Sequence, residues 1–167
     1  MEKPICKIEI VHNQIDAAIA IIREVAAWGR EKGYRVWLDE WLTKDELLSE
    51  DVTPEDFCVG RIDGEDACAF ILQKRDREYW GNAKPGEAVY LHKFCVRRKF
   101  AHMGMTGLVA AAIRENCRAQ GIKYIRLDTG LDEKMVRQIY LNAGFKIVRI
   151  IDHENGHATA LYEMEVI

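Results

Sequence analysis

The run Tyr90–Leu108, YLHKFCVRRKFAHMGMTGL, constrains this chain more than any other stretch. It passes from an apolar, β-favouring segment (Val89–Val96) through a basic bend of Arg97, Arg98 and Lys99. A turn bearing Gly104 and Gly107 follows, and then a strongly helical run over Leu108–Arg118. Strand, turn, helix is the implied order. The first N–H groups of a helix lack intrahelical partners and carry the positive end of its dipole, so such a junction suits a phosphate or pyrophosphate. Gly104 would let a ligand come close to the backbone. The spacing matches neither a Walker loop nor the GxGxxG fingerprint. What is left is a phosphate cradle of another kind, or a plain tight turn beside a solvated basic triplet.

The rest of the chain sets the fold class. Ile5–Val11 alternates as a first strand, and Asn13 stands as N-cap to a helix with Ile15, Ile19, Ile22 and Ala26 on one face, closed by Gly33. Thr43 and Glu46 are in capping-box relation and open a short helix over Lys44–Ser49. Asp63-Gly64 joins strands Phe57–Ile62 and Ala67–Gln73 as a tight hairpin, and Lys74–Gly86 reads as a loop. After the central run, Gly121 ends the helix and Lys123–Asp128 reads as a strand. A helix over Leu131–Asn142 turns Val136, Ile139 and Ala143 to one side, and Asn155-Gly156 joins strands Phe145–Ile151 and Ala158–Val166. This order predicts an α+β fold of one domain over residues 1–167, with a largely antiparallel sheet flanked by helices.

Composition narrows the partners. The 167 residues carry 24 basic and 27 acidic side chains, a net charge of -3, so nothing points to nucleic acid. No run approaches the length of a membrane span, and the N-terminus lacks a long apolar leader core. The five cysteines have neither CxxC nor metal-ligand spacing and read as buried reduced thiols, which predicts a cytoplasmic protein without a metal. A homodimer is compatible with the sequence.

The central turn resembles the acyl-CoA-binding motif of the GCN5-related N-acetyltransferases (GNAT), Arg/Gln-x-x-Gly-x-Gly/Ala after the fourth strand. The pattern falls on Ala101, His102, Met103, Gly104, Met105 and Thr106, with Gly104 kept strictly, Ala101 in place of Arg/Gln and Thr106 in place of Gly/Ala. A second block is similar as well: Ile139-Tyr140 and Gly144-Phe145 stand at the family's spacing, with Glu133 where Asn is common. Tyr79-Trp80, Tyr90-Leu91-His92 and Val96 look like a bacterial small-molecule branch of the family.

The resemblance implies a GNAT-like fold and direct transfer of an acetyl group from acetyl-CoA to the amine of a small acceptor. The pyrophosphate would meet the amides of Met103–Gly107, and a backbone N–H around Phe94, Cys95 and Val96 would polarise the thioester carbonyl. Tyr140 is the implied general acid, since a phenol can donate a proton while neutral at pH 7. Glu87, His92 and Asp128 are each candidates for the base. Trp37, Asp39, Trp41, Tyr79 and Trp80 would wall the acceptor site, suited to an ammonium group. The Cys95 thiol has no partnering histidine at a recognisable spacing and reads as inert. The departures at Ala101, Thr106 and Glu133 keep open a second reading, a non-catalytic acyl-CoA sensor.

Overall fold

The computed structural model describes residues 7–167. Asp63 and Gly64 both hold left-handed backbone (φ 51° and 80°), the geometry that a two-residue hairpin turn demands. They fold β2 (Phe57–Ile62) antiparallel onto β3 (Glu65–Gln73), with Ile62 opposite Glu65. β1 (Glu9–Val11) pairs outside β2, and β4 (Ala88–Val96) continues the antiparallel ladder beyond β3. The expected first strand is shorter than predicted, and its Ile5 and Cys6 lie outside the described residues.

Next comes α4 (Met105–Gln120), a crossover that sets β5 (Tyr124–Gly130) parallel to β4. The chain returns through α5 (Lys134–Asn142) to β6 (Lys146–Asp152) and β7 (Ala158–Glu165), and the sheet order is β1-β2-β3-β4-β5-β7-β6. The predicted α+β architecture is the one observed. On one face, α1 (Ile15–Glu31) packs Ala18, Ile22 and Ala26 onto Phe57, Val59 and Ile71. On the other, α4 packs Val109, Ile113 and Cys117 onto Phe70, Leu91 and Ile125.

Several local expectations are corrected. Asn13 is not the cap of α1: it adopts φ 57°, and its N–H and that of Gln14 donate to Glu55 and Phe57, which ties the strand-to-helix link to the start of β2. Thr43 does cap α2 (Lys44–Leu47), its Oγ1 accepting the Glu46 N–H at 3.3 Å. Inside the expected 74–86 loop lies a one-turn helix, α3 (Arg77–Trp80), held by Arg77 donating to Asp51 and Glu50 at 3.0 and 2.8 Å. α4 begins a turn earlier than predicted, because Gly104 (φ 72°) is itself the left-handed cap and Gly107 lies in the first helical turn. At the other end Gly121 closes the helix as expected.

β5 runs two residues past its predicted end, since Thr129 and Gly130 stay paired with β7, and this delays α5 to Lys134. The face expected inside α5 is largely outside: Ile139 is 47% exposed and Tyr140 is the buried residue. The β6–β7 connection is a five-residue loop rather than a tight turn, because Asp152 pairs with Ala158. No helix among the described residues is long and apolar enough to cross a membrane.

A cleft follows from the pairing pattern. β4 and β5 are joined only at Ala88–Tyr90 with Tyr124–Arg126. Beyond Tyr90, β4 keeps its ladder with β3, and β5 keeps its ladder with β7. The two central strands therefore part between residues 91–96 and 127–130.

Candidate active site at the β4–β5 cleft

The cradle lies at the start of α4. The helix has no side-chain cap, so the amides of its first turn keep free N–H groups. Among the described residues no atom lies within 4 Å of where a Cβ on Gly104 would project, so this backbone is open to a ligand. Ala101 is extended, His102 takes φ 62°, Met103 is exposed and Met105 is buried; Thr106 sits in the first helical turn. The basic triplet is engaged elsewhere: Arg97 pairs with Glu24 at 3.0 Å, Lys99 with Glu65 at 2.7 Å, and Arg98 stacks over Trp28 at 3.8 Å. The cradle is thus one of backbone amides.

Along the β4 wall, Cys95 and Val96 pair with Ala69 and Cys68 of β3. Phe94 lies where the register slips, for Ile71 opposes His92 and Ala69 opposes Cys95, leaving Lys93 and Phe94 against Phe70 alone. This is a β-bulge, and it turns consecutive residues to one side of the sheet. His92 and Lys93 accordingly line the same cavity. Lys93 adopts φ 54°, a left-handed conformation uncommon for a lysine. Burial pushes the Cys95 thiol up, as befits the inert thiol that was expected.

Tyr140 reaches the cleft from α5, its ring edge-on to Phe145 at 5.8 Å and tilted on Tyr162 at 6.0 Å. Burial, followed by the proximity of Cys95 and Tyr162, pushes its phenol up, so it carries its proton at neutral pH. Glu133 is turned inward at the start of α5, where its Oε2 accepts the Gly130 N–H at 3.0 Å.

The base candidates separate. His92 Nε2 meets Asp76 Oδ2 at 2.8 Å, and its Nδ1 lies 3.8 Å from Asp128 Oδ2. One imidazole stands between two carboxylates. The side chains are 7%, 22% and 20% exposed for Asp76, His92 and Asp128. Among the described residues the buried Asp128 Oδ2 has no hydrogen-bond partner, and burial raises this carboxyl above its usual 3.8, with His92 opposing. Glu87 is elsewhere. It pairs with Arg126 at 3.0 Å, which lowers its pKa, and it sits five residues from His92, roughly 17 Å along a strand. Arg126 also donates to Glu163 at 2.9 Å and to the Tyr90 hydroxyl at 3.2 Å, and lies over Trp80 at 4.6 Å.

The expected acceptor walls are divided. Trp80 packs over Arg126 and Tyr90 with its Nε1 buried and, among the described residues, unpaired, and the Tyr79 phenol is pushed up chiefly by burial, with Thr159 opposing. Asp39 pairs with Arg30 at 2.9 Å, and Trp41 is exposed. Trp37 lies under Lys93, its ring centroid 5.1 Å from Nζ. Beside His92 and Lys93 opens a cavity of about 530 Å³, bounded by Ile71 and Gln73 of β3, by the segment Glu46–Val52, and by Asp76 and Arg77.

Two polar residues of this site were missed from the sequence. Asp76 precedes the short Arg-Glu-Tyr-Trp helix in the position of a cap, and Lys93 follows His92 directly in a strand whose other residues are apolar or aromatic. Neither signal identifies a site, since both are common on surfaces.

Comparison with known proteins bears on the fold and the family. No protein-family model matches the chain. An uncharacterized N-acetyltransferase, YesJ of Bacillus subtilis (strain 168), is 23% identical over 143 residues, covering 83% of this chain and 79% of that one. A GNAT-family acetyltransferase from Listeria monocytogenes superposes with a TM-score of 0.71 at 20% identity, over 95% of this chain and 94% of the other. A GNAT-family acetyltransferase from Elizabethkingia anophelis, solved with acetyl-CoA bound, superposes with a TM-score of 0.62 at 17% identity over 96% and 99%. The parted central strands, the uncapped helix at their mouth and these likenesses agree: the chain has the fold of the GCN5-related N-acetyltransferases.

Proposed function

We propose that the protein is an N-acetyltransferase that moves the acetyl group of acetyl-CoA directly onto the amine of a small acceptor. The observation that carries this is the Asp76–His92–Asp128 cluster, set at the parted strands beside a cavity of about 530 Å³. That volume lies within the range of small-molecule sites, roughly 300–1,000 Å³.

The open backbone at Gly104 fits a pyrophosphate, so the amides of Met105, Thr106 and Gly107 are the groups that would hold it. Bound there, acetyl-CoA supplies an activated acetyl group as its thioester. The strand edge around Phe94–Val96 would orient the carbonyl. His92 and Asp128 accept the proton that the acceptor amine loses as its N–C bond forms, and Asp76 holds the imidazole with its Nδ1 toward Asp128. As the C–S bond breaks, Tyr140 gives its proton to the departing thiolate. Glu87, bound to Arg126, has no part in this scheme. Buried unpaired thiols at Cys58, Cys68, Cys95 and Cys117 agree with a cytoplasmic setting.

The test is thermal unfolding with acetyl-CoA, together with CoA release in the presence of a panel of small amines. Ligand at about 100 times its Kd adds roughly 2.7 kcal/mol, which raises Tm by about 5–10 °C. Gly104→Glu should abolish that rise. No rise for the native protein would refute the reading; a rise without amine-dependent CoA release would leave an acyl-CoA sensor.

A further inference from the structure

The cavity beside His92 carries charges of both signs on its walls, and those around Arg77 and His92 are matched. Arg77 takes up Glu50 at 2.8 Å and Asp51 at 2.9 Å, and Asp76 is engaged by His92. Glu46 and Glu78 are exposed at the rim. Lys93 is different. It is half-buried, it lines the cavity, and among the described residues no carboxylate lies in ion-pair distance of its Nζ and no oxygen accepts a hydrogen bond from it. Its side chain is nevertheless placed, with Nζ over the Trp37 ring at 5.1 Å.

The backbone is arranged to put it there. In an unbroken strand, side chains alternate between faces, so residues 92 and 93 would point to opposite sides of the sheet. The bulge opposite Phe70 places both on the cavity, and Lys93 takes φ 54° in doing so. Strain of this kind persists only where the surrounding structure enforces it. The result is a proton acceptor side by side on one wall with a lysine that no carboxylate contacts among the described residues; burial lowers the lysine's pKa, while Asp128 and Glu78 attract its ammonium from beyond contact.

Resting on the transfer reading above, we infer that Lys93 binds a carboxylate of the acceptor. The acceptor is then a small molecule bearing both an amine and a carboxylate, as an amino acid does, with the amine at His92 and Asp128 and the carboxylate at Lys93. A diamine would instead set its second ammonium beside that of Lys93, which no carboxylate contacts among the described residues. The half-buried position makes the pairing worth more than a surface ion pair, since a charge-assisted hydrogen bond shielded from water contributes tenfold or more in binding, roughly.

Matched pairs of acceptors test this: amino acids of several side chains against the corresponding amino-acid amides, with putrescine as a diamine, each assayed for CoA release from acetyl-CoA. The acid should exceed its amide in kcat/KM by about tenfold or more. In Lys93→Gln the ratio should fall to about one, and in Lys93→Arg it should recover in part; an acetyl-CoA thermal shift in each variant reports that the fold is intact. Equal turnover of acid and amide, preference for putrescine, or an acid-to-amide ratio unchanged in Lys93→Gln overturns the inference and leaves the transferase standing. If no amine releases CoA, the transfer reading falls and this inference falls with it.

Discussion

Replacing Asp128 with Asn separates stability from activity at this site. The carboxylate is largely buried, its Oδ2 has no hydrogen-bond partner among the described residues, and burial raises its pKa above 3.8. A folded-state pKa above the unfolded one means that the folded protein binds the proton more tightly. The carboxylate form is therefore a cost to folding that appears as pH rises from about 3.8 through the raised value. A buried, unsatisfied acceptor costs about 1–3 kcal/mol, and His92 and Lys93 return part of that through their attraction.

The isosteric amide removes the charge and brings a donor, so Asp128→Asn should raise the stability by about 1 kcal/mol and Tm by about 2–4 °C at pH 7. The gain should shrink as pH falls toward 4, where the native carboxyl takes up its proton. Removing a proton acceptor should lower kcat/KM by a factor of about 10²–10⁴. Scanning calorimetry of both proteins between pH 4 and 8, with CoA-release kinetics, reads all three effects. A variant that is less stable at pH 7, or whose stability difference is flat with pH, would refute the reasoning, for it would mean that attraction to His92 and Lys93 outweighs burial.

Tyr140→Phe should keep the acetyl-CoA thermal shift while lowering kcat by about 10²–10⁴; unaltered turnover would remove the phenol from the mechanism. Arg126→Met should cost about 3 kcal/mol, the lower end for breaking a buried ion pair because Glu87 and Glu163 keep some solvent. At this chain length that lowers Tm by about 6–12 °C, and a loss under 2 °C would show that Arg126 does not clamp the closed end of the β4–β5 pair.

What could be read from the sequence was what depends on neighbours along the chain. The Asp63-Gly64 turn, the stop at Gly121 and the strand-to-helix junction at Gly104 are backbone requirements satisfied locally, and all three stand where the residues place them. The α+β order follows from these and from the apolar periodicity. Tertiary structure decided where polar groups meet. Asp76 comes to His92 across 16 positions, and Asp128 across 36, so no local pattern encodes the cluster. Glu87 and His92 look alike in sequence, as polar residues at or in one strand, yet Arg126 from the neighbouring strand claims the first and leaves the second at the cleft. The bulge that turns Lys93 toward the cavity is likewise a product of pairing, since it exists only because β3 spans with Phe70 what β4 spans with Lys93 and Phe94. The same holds for α5, whose apolar stripe predicted a buried face, while docking on Tyr140 set the helix so that Ile139 faces outward. Local chemistry determined the elements of this protein; the site came from long-range pairing, because charges and side-chain directions are settled only when distant strands are brought into register.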